Sequence, residues 1–217
     1  MATQSLAAQL RVKRSEMMIS ELEAIALRMF EERGFDDVTV DEIASEASIS
    51  VRTFYRYFPA KEDLLQVKID QRTEALRVAL SARPNDEPPL HSLRVALEEA
   101  VSLEDPAMHR RWTAVVAATP SLTRTVLGGI QLKSHRVIAE FLATRLDLPS
   151  DALVPTMLAA AAGGVIQAAS TQWFLLGGDL ATRISEGLEV LERGIGSDPR
   201  TWSSGKELAS SATRNTP

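Results

Sequence analysis

Between Val38 and Leu65 the chain reads V-T-V-D-E-I-A-S-E-A-S-I-S-V-R-T-F-Y-R-Y-F-P-A-K-E-D-L-L, a stretch that dictates its own local structure. Thr39 and Glu42 have capping-box spacing: the Thr39 hydroxyl can accept from the Glu42 backbone N–H, and the Glu42 carboxylate can return the bond. Val38 before the cap and Ile43 four residues after it make the matching hydrophobic staple. The pattern then repeats, with Ser50 as cap and Ile49 and Phe54 as staple. Only Ala47-Ser48-Ile49 lies between the two, room for a turn and nothing more. Pro59 cannot continue the second helix, which is therefore about two turns long.

Two short helices joined by such a turn form a helix-turn-helix unit, whose second helix enters the major groove of DNA. Phe54 and Phe58, at i and i+4, give that helix an apolar anchoring face. Arg52, Tyr55 and Arg56 share another face, flanked by Thr53 and Tyr57. From Ser48 to Lys61 there are three basic residues and no acidic one. Guanidinium groups suit bidentate contact with guanine edges or phosphates, and hydroxyls suit phosphate oxygens. A solvated amphipathic helix with incidental arginines is the plainer alternative.

The run I-S-V-R-T-F-Y-R-Y-F-P-A-K-E-D-L-L, preceded by G-F-D-D-V-T-V-D-E-I-A, resembles the DNA-binding domain of the TetR family of bacterial transcriptional regulators, over about Ile19 to Leu65. The resemblance implies that Thr39, Arg52, Thr53, Tyr55, Arg56, Tyr57 and Lys61 face DNA. It implies that Ile43, Ala44, Phe54 and Phe58 hold three helices together. Two positions depart from the family pattern. Arg52 stands where a glycine is common, adding a candidate base-reading side chain. Ala60 replaces the usual serine, so the next helix loses a side-chain cap, at a cost of about 1 kcal/mol.

The net charge of −5 is unexpected for a DNA binder, and residues 1–68 alone hold nine Lys+Arg against twelve Asp+Glu. Phosphates, however, respond to a local basic stripe more than to the total. Arg11, Lys13 and Arg14 precede the first acidic residue, and residues 1–14 are expected as a flexible basic arm or a frayed terminus. No signal peptide is read at the start, and the absence of cysteine suits a reducing cytoplasm.

Helical spacing of Ile19, Leu22, Ile25, Ala26, Met29 and Phe30 predicts a first helix over about Ser15 to Arg33, ended at Gly34 with Phe35 packing back on Phe30. Lys61 to about Ser81 reads as one longer helix that begins beside DNA and ends in the next domain. After the turn-rich Arg83 to Pro89 no strand signal or repeat occurs. Helices are expected to about Leu103, from Pro106 through Trp112 and Val116, and from Pro120 to about Asp147, where Gly128-Gly129 can bend the last. The fold class is all-α, with about nine helices: a helix-turn-helix domain over 1–66, a ligand-binding and dimerisation bundle over 67–196, and a disordered tail over 197–217. A weaker resemblance, carried by W-T-A-V-V-A-A-T-P-S-L within Met108 to Leu191, is to the ligand-binding domain of actinobacterial TetR-type regulators, including the mycofactocin-associated group.

Ala152 to Gly178 is 27 residues without a charge, long enough to span a membrane. Its glycines, glutamines, serine and threonine, and its many alanines, make such an insertion marginal. Small residues over Ala159 to Gly164 instead allow close backbone approach. A helix apolar on nearly all sides must be covered all round. A following helix from about Leu180 to Ile195 can cover one side and a second copy the other, giving a four-helix homodimer interface, as the resemblance also implies.

No catalytic motif is present. His91, His109 and His135 show no metal-binding spacing, G-x-S-x-G and phosphate-binding loops are missing, and neither cofactor nor metal is expected. An all-helical soluble enzyme remains the alternative class, but it leaves the Arg52 to Lys61 arrangement unexplained. The expectation is a cytoplasmic, ligand-responsive repressor on a palindromic operator; an activator, or a regulator without effector, is the alternative. Aromatics are scarce, 11 in the chain, and those outside the DNA-reading domain and tail gather in one group of helices. Trp112, Val116, Phe141, Trp173 and Phe174 are therefore candidates for an effector pocket at the far end of the long helix, with His109, His135 and Gln172 as polar anchors, although each aromatic can equally be plain core. No carboxylate-pairing arginine is obvious among them. An apolar effector follows, such as a lipid-like or aromatic compound or an acyl thioester.

Overall fold

The computed structural model describes residues 6–194, except the side chains of residues 6, 7, 124, 125, 127 and 129–131. Among the described residues the chain forms nine helices and no strand: α1 (Leu6–Arg33), α2 (Val40–Glu46), α3 (Val51–Tyr57), α4 (Asp63–Ser81), α5 (Pro89–Ser102), α6 (Pro106–Ala118), α7 (Pro120–Leu146), α8 (Leu153–Leu176) and α9 (Leu180–Arg193). The tail over 197–217 and the first five residues lie outside the described part.

Helix α1 starts nine residues earlier than its apolar spacing predicts. Residues 6–14 are therefore helix rather than flexible arm, and Arg11, Lys13 and Arg14 are carried exposed on its first turns. Apolar periodicity marks only where a helix is packed, and residues 9–14 are exposed, Leu10 and Val12 more than half so. The end of α1 is as expected: Gly34 takes φ 90°, its N–H donates to the Phe30 carbonyl at 2.9 Å, and Phe35 packs on Phe30 with centroids 4.8 Å apart.

The start of α4 also differs. Lys61 and Glu62 belong to the preceding turn, and the helix begins at Asp63. No side chain caps the start of α4; instead Asp63 Oδ2 accepts the Ala60 N–H at 2.8 Å and ties the helix to the turn before it. At α7, Thr119 holds the cap position without capping; its hydroxyl instead donates back to the Val115 carbonyl at 3.0 Å. That helix runs unbroken through Gly128 and Gly129.

Two apolar cores form. The first gathers Leu22, Phe30, Val38, Ile43, Phe54, Leu64 and Leu65 from α1 to α4, together with Trp112, Val115 and Val116 of α6. The second gathers Leu93, Ile138, Leu142, Ala159, Ile184 and Leu188 from α5, α7, α8 and α9. Helix α4 serves both, giving Ile69 to the first and Leu76 to the second. Burying α4 twice makes it the mechanical link between them.

Helix α8 is long and apolar enough to cross a membrane by length and composition. It packs here against α7 and α9. The contact with α9 is close: a Cβ on Gly187 would lie 2.5 Å from Val165 Cγ1, so any side chain there would force Val165 to move. The rest of α8 is bare, with Leu153 at 78%, Met157 at 53%, Leu175 at 71% and Leu176 at 74% exposure.

Candidate nucleic-acid interface and ligand cavity

The capping chemistry builds the reading unit. The Thr39 hydroxyl accepts the Glu42 N–H at 3.3 Å, while Glu42 Oε2 accepts the Thr39 N–H at 2.8 Å. Arg33 donates to the other Glu42 oxygen at 2.8 Å. The Thr39 N–H, Arg33 and the Thr39 hydroxyl together lower the Glu42 carboxyl to about 2. Between the helices Ser48 takes φ 55°, and the Ile49 N–H closes the turn on the Ala44 carbonyl at 2.9 Å. Ser50 then caps α3, accepting the Thr53 N–H at 3.1 Å.

The face of α3 opposite its anchors is exposed. Phe54 is fully buried and Phe58 nearly so, which fixes the helix and turns Arg52, Tyr55 and Arg56 outward. Arg52 has no hydrogen bond or ion pair among the described residues. Tyr55 packs edge-on against Phe54 and leaves its hydroxyl end in solvent. Arg56 lies 5.0 Å over the Tyr57 ring and donates weakly to its hydroxyl at 3.4 Å. Thr53 shares its hydroxyl with Ser50 at 2.9 Å, and Thr39 is exposed at the cap of α2. Lys61 stands apart from this group. Its Nζ donates to the carbonyls of Phe35 at 2.6 Å and Val38 at 2.8 Å and lies 4.1 Å over the Phe35 ring. In this arrangement it clasps the α1–α2 corner.

A cavity of about 490 Å³ lies where α4, α5, α6, α7, α8 and α9 meet, within the range of small-molecule sites. Of the residues expected around a pocket, Trp112, Val116, Phe174 and His109 line it. Trp173 is buried behind the wall with its ring 4.8 Å from His109, and Phe141 packs in the second core under Arg145 at 5.0 Å. His135 is bonded to the Thr156 carbonyl at 3.1 Å, and Gln172 accepts from Arg183 at 3.4 Å; neither lines the cavity. The contact with α4 is at Ile69, Arg72 and Leu76, the middle of that helix rather than its far end.

Sequence reasoning missed the polar corner of this cavity. Arg72 of α4 donates through Nε to Glu104 Oε1, and its guanidinium lies 4.6 Å over the Trp112 ring. His109 Nδ1 lies 2.5 Å from Glu104 Oε2 and donates to it, so the carboxylate is held from both sides. Burial alone would raise the Glu104 carboxyl, but His109 and Arg72 outweigh it and hold the group at about 2. Glu104 sits 32 residues from Arg72, and no local spacing pairs them. Nearby, Glu23 of α1 is buried 3.8 Å from Lys68, and its carboxyl is raised by burial against the pull of Lys68 and Arg72. Among the described residues no cluster of histidines and carboxylates is suited to a metal ion.

Comparison with known proteins agrees with this geometry. The family described as "Bacterial regulatory proteins, tetR family" matches residues 24–67, and "MftR C-terminal domain" matches residues 87–196. The HTH-type transcriptional regulator TcmR of Streptomyces glaucescens is 31% identical over 160 residues, 69% of this chain and 70% of its own. Two solved structures share the fold. Thermus thermophilus FadR, a repressor in complex with lauroyl-CoA, has TM-score 0.52 and 23% identity over 83% of this chain and 96% of its own. A SmeT–triclosan complex has TM-score 0.60 and 16% identity over 80% and 89%. With a DNA-reading α3 over one core and a helical bundle matched over most of its length, this chain belongs to the TetR family of bacterial transcriptional regulators: DNA-binding helix-turn-helix proteins, not enzymes.

Proposed function

We propose that this protein is a cytoplasmic homodimeric repressor that leaves a palindromic operator when a small, largely apolar effector fills the cavity between α4 and α9. The observation that carries the proposal is the placement of the cavity on α4, the helix that also holds the reading unit. The Trp112 ring lines the cavity while its Nε1 donates to the Leu65 carbonyl at 3.2 Å, at the DNA-proximal end of α4. A ligand that displaces Trp112 or Arg72 therefore acts on α4 and, through Lys68 and Glu23, on α1. A switch needs such a differential contact between two states. That relatives of the same fold are seen with lauroyl-CoA and with triclosan supports an apolar effector.

In the dimer the bare face of α8 meets its copy, burying Leu153, Met157, Leu175 and Leu176, and this use of the apolar surface makes a membrane role unnecessary. Two α3 helices then sit in successive major grooves about 34–36 Å apart. Arg52 and Arg56 read bases, Thr39, Thr53, Tyr55 and Tyr57 take phosphates, and Lys61 positions the corner that carries α2. The domain division at residue 66 places the hinge in the first turn of α4.

The test is a screen of lipid-like and aromatic compounds for release of DNA flanking the protein's own gene. It is run alongside a Ser170→Trp variant, which fills the cavity from α8. Release of the wild type, with Ser170→Trp bound to DNA but unresponsive, is the expected result. Equal response of both proteins would place the effector elsewhere.

A further inference from the structure

Among the residues that line the cavity, Ala117 of α6 and Gln167, Thr171 and Leu175 of α8 are exposed, and every other one is buried or half-buried. The mouth of the cavity is therefore at α8. At about 100° per residue, Leu153, Met157, Ala160 and Gly164 fall within about 80° of Gln167, Thr171 and Leu175, so the mouth continues one seam of the helix. The whole seam is exposed in the single chain, and no charged residue occurs between Ala152 and Gly178. The cavity thus opens onto the same bare face that the second copy covers.

A two-fold contact is self-complementary: if one residue meets a second across the axis, the second meets the first. Helices approach closest where the side chains between them are smallest, here at Ala160 and Gly164. A Cβ on Gly164 would meet nothing within 4 Å in the single chain, so the space for a copy is open. An antiparallel crossing there opposes the two helix dipoles and lays the apolar first turns of one α8 on the second half of the other. Leu153 and Met157 lie as far before the crossing as Thr171 and Gln167 lie after it. Neither Leu153 nor Met157 lines the cavity of its own chain.

We infer that the second copy completes the cavity: the partner's Leu153 and the partner's Met157 close the mouth at Thr171 and Gln167, and an apolar ligand is enclosed by both chains. This rests on the cavity and the α8 interface proposed above, and goes beyond them by giving each chain a part of the other's ligand site. Closing the mouth with apolar side chains takes the remaining ligand surface out of water. A ligand held by both chains also tightens the dimer, because it binds the pair better than the single chain.

Mixed dimers of full-length chains test this with N-phenyl-1-naphthylamine, an uncharged probe that fluoresces in apolar sites. Each mixed dimer carries one Ser170→Trp, which fills one cavity, and one Met157→Ala. In the first, both changes are in one chain, so the open cavity is capped by the altered copy. In the second, the changes are in different chains, so the open cavity is capped by an intact Met157. Any weakening of the dimer itself is common to both. The first is expected to bind the probe about tenfold more weakly than the second. Equal affinity, or the reverse order, confines Met157 to its own chain and overturns the closure while leaving the cavity as a site. The chain has no cysteine, so a disulfide reads the contact without any ligand. Oxidation of the Met157→Cys, Gln167→Cys double variant should link two copies where neither single variant does. Linkage of Met157→Cys alone would set like ends together and overturn the arrangement. A probe that binds wild type and the Ser170→Trp homodimer equally overturns the cavity as ligand site and this inference with it.

Discussion

Replacing Lys61 by methionine separates a structural lysine from a phosphate-binding one. Methionine keeps most of the aliphatic stem and removes only the ammonium, so packing loss is small. What disappears is a pair of charge-assisted hydrogen bonds, to Phe35 O at 2.6 Å and Val38 O at 2.8 Å, and the approach to the Phe35 ring at 4.1 Å. A hydrogen bond to a charged group contributes about 1.5–3 kcal/mol, and an exposed cation–π contact about 0.5–1 kcal/mol. Lys61 is half-buried, so water can replace part of this in the variant. A net loss of about 2–3 kcal/mol is expected, a fall in Tm of about 4–12 °C for a chain of this size. Urea unfolding with an unchanged m-value measures it. Lys61→Arg supplies the contrast: the planar fork cannot reproduce two bonds from one nitrogen to a tight corner, yet it can hold a phosphate. A clasp predicts that arginine is destabilised nearly as much as methionine. If Lys61→Met unfolds within about 0.5 kcal/mol of wild type and Lys61→Arg retains operator affinity that Lys61→Met loses, the clasp is wrong and Lys61 serves DNA directly.

Arg52→Ala and Arg56→Ala should each cost about 1–3 kcal/mol in operator binding and relax specificity at one base position, measured by competition against single-base operator variants; equal losses on operator and random DNA would reduce both to phosphate contacts. Acid should weaken the α2 cap: Glu42 falls from 4.5 to about 2 on folding, so its contribution is present above 4.5 and is lost as pH drops toward 2. Urea midpoints of wild type and Glu42→Gln should therefore differ at neutral pH and converge by about pH 2; a gap that stays constant with pH would mean the amide merely packs differently. Ala160→Arg or Gly164→Arg, both exposed on α8 in the single chain, should leave each subunit folded and break the dimer, because the charge would be buried unpaired against the copy. Sedimentation of both variants as folded dimers would move the interface off this face.

What the sequence determined by itself is the part of the protein whose bonds close within a few residues. The Thr39–Glu42 box, the Ser50 cap, the left-handed Gly34 and the Phe54/Phe58 pair each act over one or two turns, so α2, α3 and the end of α1 follow from spacing alone. The bundle's helices followed from apolar periodicity and proline. Tertiary structure decided the rest. Where α1 begins was invisible because residues 9–14 are exposed, so no apolar periodicity marks them. Lys61 lies in the turn before α4, and only the folded chain brings its ammonium to two carbonyls 23 and 26 residues away. Trp173 and Phe174 are adjacent, yet one backs the cavity and the other lines it, since successive helical residues point about 100° apart and only packing sets which direction is inward. The Arg72–Glu104–His109 corner joins a helix, a loop and another helix, so its charges come together only when the bundle closes around them.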